Sequence, residues 1–77
     1  MEITLDQLLC GQRGIVTRIN TDALLEQRLR AFGLIPGTQI SCRYRTPCCS
    51  VAALELRSSV IALRARDMAN IRVSVNE

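Results

Sequence analysis

Leu24-Leu25-Glu26-Gln27-Arg28-Leu29-Arg30-Ala31-Phe32-Gly33-Leu34-Ile35-Pro36-Gly37-Thr38 is the stretch whose reading decides the fold. Leu25, Leu29 and Phe32 recur at the four-then-three spacing of one helix face, with Leu24 beside them. Glu26, Gln27, Arg28 and Arg30 take the wet side. Thr21 or Asp22 can cap the start by offering a side-chain oxygen to free backbone N–H groups, and Gly33 suits the left-handed residue that ends many helices. Pro36 forbids helical continuation. Pro36-Gly37 fits the centre of a type II turn, because proline fixes the first central residue and glycine tolerates the positive φ of the second. The stretch reads as helix, sharp corner, strand.

On the N-terminal side, Thr4 to Gln7 fits a capping box, with Leu5, Leu8 and Leu9 along one side of a short turn that Gly11 ends. Ile15 to Ile19 is rich in β-branched residues and is expected to be a strand. Val16 and Ile19 suit the core yet lie on opposite faces of a regular strand, which calls for a bulge or for burial on both sides. On the C-terminal side, Thr38 to Arg45 alternates, placing Ile40, Cys42 and Tyr44 inward and Gln39, Ser41, Arg43 and Arg45 outward. Thr46-Pro47-Cys48-Cys49-Ser50 breaks the pattern, and Val51 to Arg57 resumes it. Arg57-Ser58-Ser59 is a tight connection. Val60 to Arg64 forms a fourth strand, Ala65 to Asn70 a helical turn, and Ile71 to Val75 a last strand before a frayed Asn76 and Glu77.

About five short strands with one α-helix and one short helical turn indicate a mainly β fold, a small barrel, since closing a sheet removes its exposed edges. The SH3-like barrel is the best match, and an OB-like barrel shares the same element count. Residues 1–77 are expected to form a single domain, too short for more than a thin core.

Composition excludes more than it assigns. The chain has no His and no Trp, and all ten of its basic residues are Arg. Without an imidazole or an obvious carboxylate pair, general acid–base catalysis is not expected, and the protein reads as a non-enzyme with no cofactor. A net charge of +3, spread along the chain, identifies no anionic partner. The first residues lack the basic and apolar regions of a signal peptide, and no apolar run reaches membrane-spanning length. A cytoplasmic location without direct membrane insertion is therefore expected, and in that compartment Cys10, Cys42, Cys48 and Cys49 stay reduced.

Arg28-Leu29, Gly33-Leu34 and Pro36-Gly37, in that order, resemble the signature of the FeoA family, small cytosolic accessory proteins of bacterial ferrous-iron uptake. Ile61-Ala62-Leu63-Arg64, followed by Asp67-Met68 and by Ile71 and Val73, is similar to that family's C-terminal signature, as Leu5, Leu8, Gly11 and Val16 are to its opening. The resemblance implies an SH3-like barrel that binds FeoB, a ferrous-iron transporter with a cytosolic GTPase domain, at its GTPase region or its membrane-proximal face. The chain departs from the family's pattern at Cys48-Cys49-Ser50, where Gly-Asp-Pro or similar is usual, and at Ser58 and Ser59, where glycine is common. Related barrels also form the C-terminal domain of metal-dependent repressors. These 77 residues hold none of the DNA-binding or dimerisation helices of such proteins, so a complete repressor is not expected.

The candidate partner contacts are Arg28, Phe32, Leu34, Ile35, Pro36, Arg43 and Arg45. Each has a structural reading beside the functional one. The Arg28 stem can cover the barrel while its guanidinium bonds nearby oxygens. Leu34 and Ile35 are either the lid of a thin core or an exposed patch. Cys10 and Cys42 read as small hydrophobes. Cys48 and Cys49, adjacent on a loop, are the candidate metal ligands and underlie an alternative reading, a transition-metal-binding or redox-responsive module. Against that stands their spacing, since structural zinc sites prefer cysteines two to four residues apart. Nucleic-acid binding is a further alternative that the sequence argues against, because single-strand binders use several aromatic platforms and only Phe32 and Tyr44 are present. Association between copies, through a barrel edge or the cysteine loop, stays open.

Overall fold

The structure, a computed structural model, describes residues 1–48, 50–57 and 59–75. The expectations for Cys49, Ser58, Asn76 and Glu77 lie outside the described residues. The strands are β1 (Glu2–Thr4), β2 (Arg13–Ile19), β3 (Gln39–Arg45), β4 (Val51–Leu56), β5 (Ser59–Arg64) and β6 (Ile71–Ser74). A 3₁₀ turn (Leu5–Gln7), helix α1 (Ala23–Ala31) and the short helix α2 (Ala65–Met68) complete the chain.

The pairings between these strands are antiparallel, in one sheet of order β1-β6-β2-β3-β4-β5. The sheet has six strands where the sequence pattern predicted about five. The extra one is β1, which alternation over three residues is too short to reveal. Long-range pairing creates it: Ile3 faces Val73 of β6, and the backbones of Met1 and Val75 bond to each other beyond the strand ends.

Val16 of β2, Ile40 of β3, Leu54 of β4, Ile61 of β5 and Val73 of β6 belong to one buried cluster. Strands near both ends of a six-stranded sheet share a core only if the sheet curls on itself, which gives the SH3-like barrel. Leu5, Leu8, Leu29, Leu34 and Met68, from the turns and helices, fill the same core.

The sheet curls with the help of two register shifts. In β2 the shift falls between Val16 and Arg18, so the bulge expected there exists, and Ile19 packs against the core as well as Val16. In β3 it falls between Cys42 and Tyr44, and this one was not foreseen. Tyr44 pairs with Ala53 and Arg45 with Ala52, so the extra residue, Arg43, exchanges the faces of everything after it. Tyr44, expected inward, is 59% exposed. Arg45, expected outward, is half-buried instead, with one guanidinium nitrogen donating to the Leu8 carbonyl.

Candidate functional site

The corner after α1 is built from local rules. Asp22 is the cap: its Oδ1 accepts from the Leu25 N–H at 2.8 Å. At the other end the Gly33 N–H donates to the Arg30 carbonyl and the Leu34 N–H to the Leu29 carbonyl, the paired bonds of a Schellman cap. Gly33 has φ +92°, a conformation costly for any residue with a Cβ. The cap brings Leu34 back over Leu29, and both are fully buried. The Thr38 N–H then donates to the Ile35 carbonyl at 3.0 Å across Pro36 and Gly37, and Gly37 has φ +97°, the type II turn read from the sequence.

Thr38 locks this corner from below. Its buried hydroxyl donates to the Gly33 carbonyl at 2.9 Å and accepts from the Ile35 N–H at 3.3 Å. The backbones of Gly37 and Thr38 also bond to Val16, so the corner is fastened to β2.

Leu34 is therefore core, at 0% exposure, and the docking half of its reading is withdrawn. Ile35, one residue on, is 38% exposed at the surface beside the exposed Pro36. Phe32, expected on the core face with Leu25 and Leu29, is 55% exposed. The helix ends at Ala31 and the cap turns the chain, so Leu34 covers Leu29 while the Phe32 ring is left outside. Leu24, expected beside that face, is exposed as well.

Phe32 stands over a groove of about 380 Å³ between α1 and β5. Its walls are Leu25, Arg28 and Phe32 on the helix side, and Ala62, Leu63 and Arg64 on the strand side, with Asp67 at one end. None of the ion pairs among the described residues involves Arg28, so its charge is available at the groove. β5 is also an end strand of the sheet, paired with β4 alone. The site thus combines an exposed aromatic ring, an apolar floor and two guanidinium groups.

The other candidates lie elsewhere. Arg43 is exposed on the sheet and pairs with Glu55 at 3.5 Å. Arg45 is turned inward by the β3 bulge, and its Nε is buried without a partner. Cys48 is exposed in the loop that Thr46 organises, with the Thr46 hydroxyl accepting from the backbone N–H groups of Ser50 and Val51. The Ser50 hydroxyl, 3.0 Å from the Cys48 sulfur, and to a lesser extent the Ser50 backbone and Thr46, lower the Cys48 thiol pKa to about 7. Among the described residues no group of three His, Cys, Asp or Glu side chains gathers to hold a metal, and no helix is long and apolar enough to cross a membrane.

A curled six-stranded antiparallel sheet, closed by turns and one capped helix and carrying a groove of mixed polarity lined by Arg28 and Arg64, defines a small SH3-like module. The FeoA domain model matches residues 3–75. The chain belongs to the FeoA family, small accessory domains associated with ferrous-iron transport. A crystal structure of an iron uptake regulatory protein, FeoA, is 23% identical with a TM-score of 0.84, the match covering 96% of this chain and 97% of that one. The solution structure of FeoA from Chlorobium tepidum is 20% identical with a TM-score of 0.92, covering 97% and 71%. A manganese-dependent transcriptional repressor shares the fold over 42% of its own length and 97% of this chain, at 17% identity and a TM-score of 0.87. At these identities the likeness to solved structures is one of fold. No curated protein matches the chain.

Proposed function

We propose that residues 1–77 form one FeoA-like domain that acts without catalysis in the cytoplasm, docking on the cytosolic side of a FeoB-type ferrous-iron transporter. Docking modulates the transporter's assembly or its GTPase-linked transport. Membership of the FeoA family supports the choice of partner. The docking face is carried by one observation, the Phe32 ring left outside the core over the α1–β5 groove. An aromatic residue offers a large area for burial at small entropic cost, and such anchors dominate binding energy when a partner covers them. Arg28 at the groove favours a partner surface bearing carboxylates, and Ile35 and Pro36, exposed in the corner, are further contacts of the proposal.

The test is calorimetric titration of the reduced protein against the transporter's cytosolic domain in nucleotide-free, GDP-bound and GTP-analogue-bound forms, and against the full transporter in detergent. Saturable binding is expected, weaker at higher salt, with preference for one nucleotide form fixing the direction of coupling. Phe32→Asp should weaken it by at least about tenfold with the melting temperature retained. Absence of binding to all of these preparations overturns the reading.

A further inference from the structure

Cys10 and Cys42 lie 32 positions apart in the sequence, yet their sulfurs stand 3.6 Å from each other. Cys10 is in the segment between the 3₁₀ turn and β2, and Cys42 is in the middle of β3. The backbone holds them there: the two residues form a parallel β-bridge, and the Gly11 N–H donates to the Cys42 carbonyl at 2.9 Å. Neighbouring extended segments run about 4.8 Å apart. That spacing falls within the range of roughly 4.4–6.8 Å between Cα atoms that a disulfide spans. Closing the sulfurs to bonding distance, about 2.05 Å, takes side-chain rotation rather than movement of a strand.

We infer that Cys10 and Cys42 form a reversible intramolecular disulfide when the protein meets a low-molecular-weight disulfide oxidant. Cys10 is exposed and Cys42 fully buried, which orders the steps. The Cys10 thiolate attacks the oxidant RSSR, forming a Cys10–SR mixed disulfide and releasing RS⁻. The Cys42 sulfur then attacks the Cys10 sulfur, expelling a second RS⁻, and the two thiol protons of the protein leave with the two RSH products. The protein dithiol is oxidised by two electrons and RSSR is reduced by two. Burial, and then the hydrogen bond with Cys10, raise the Cys42 thiol pKa, so Cys42 is poor as a first attacker and acts as the resolving thiol. The Arg45 guanidinium, turned inward by the β3 bulge and with its Nε unpartnered, lies beside Cys42 and favours the thiolate at the resolving step.

The test equilibrates the full chain with oxidised and reduced glutathione, blocks remaining thiols by alkylation, and maps the tryptic peptides. Cys10 falls in residues 1–13, Cys42 in 31–43, and Cys48 with Cys49 in 46–57, so each pairing has its own mass. A linked 1–13/31–43 pair is expected, with Cys48 and Cys49 alkylated, and dithiothreitol should reverse it. The melting temperature should rise on the order of 10 °C on oxidation, because the bond closes a long loop. Cys48→Ser with Cys49→Ser should keep both effects, and Cys10→Ser should lose both. A stable glutathione adduct on Cys10 without closure overturns the inference, as does pairing of Cys10 or Cys42 with the 46–57 peptide or with a second chain.

Discussion

The chain turns two proline corners, at residues 33–38 and 46–50, and they are held by different physics. The first is fixed from inside: Leu34 is buried against Leu29, Thr38 satisfies two backbone groups of the corner, and Gly37 and Thr38 bond to β2. In the second, among the described residues, the Thr46 hydroxyl accepts from the Ser50 and Val51 N–H groups, the Thr46 N–H donates to the Val51 carbonyl and the Ala65 N–H to the Ser50 carbonyl, and Cys48 is left in solvent. A proline marks both in the sequence, Pro36 in the first and Pro47 in the second. What separates them is that the first corner itself carries a large apolar residue, Leu34, into the core. The buried corner can present Phe32 and Ile35 as a rigid surface, whereas the exposed one is suited to chemistry at sulfur.

Removing the buried anchor should have the largest effect. Leu34→Ala is expected to cost about 2–5 kcal/mol in urea unfolding, enough to unfold much of so small a domain. A loss below about 1 kcal/mol would erase the distinction between the corners. Thr38→Val keeps the volume but leaves the Gly33 carbonyl and Ile35 N–H without their partner, and should cost roughly 1–3 kcal/mol, with Thr38→Ser restoring most of it. Gly37→Ala, forced to φ +97°, should cost about 1–2 kcal/mol in the same assay. Pro47→Ala, in the other corner, should change stability by no more than about 0.5 kcal/mol.

The smallest effects on stability fall on the exposed groups, where function should respond instead. Phe32→Ala should shift unfolding by about 0.5 kcal/mol or less while weakening transporter binding. In the cysteine loop, alkylation of Cys48 should accelerate as pH rises through about 7, because the thiolate is the reactive form and its fraction grows above the pKa. Ser50→Ala removes the principal cause of the lowered pKa and should move that profile to higher pH; an unchanged profile would assign the reactivity to another group.

The sequence by itself determined what depends on neighbours a few residues away. The capped start of α1, the glycine that ends it, the type II turn at Pro36-Gly37 and the alternation of the principal strands are set by backbone stereochemistry and side-chain period, which act locally. It also carried the family, because Arg28-Leu29, Gly33-Leu34 and Pro36-Gly37 stand in order. Tertiary structure alone decided the rest. β1 exists because β6 pairs with it. The bulge at Arg43 inverts every face after it, exposing Tyr44 and turning Arg45 inward, and alternation cannot report a residue that its partner strand leaves unmatched. The groove under Phe32 needs a helix and an end strand brought together, and the Cys10–Cys42 pair needs two segments 32 positions apart to share a bridge. Such features arise from contacts between distant parts of the chain, and a single sequence read locally holds no signal for which distant parts will meet.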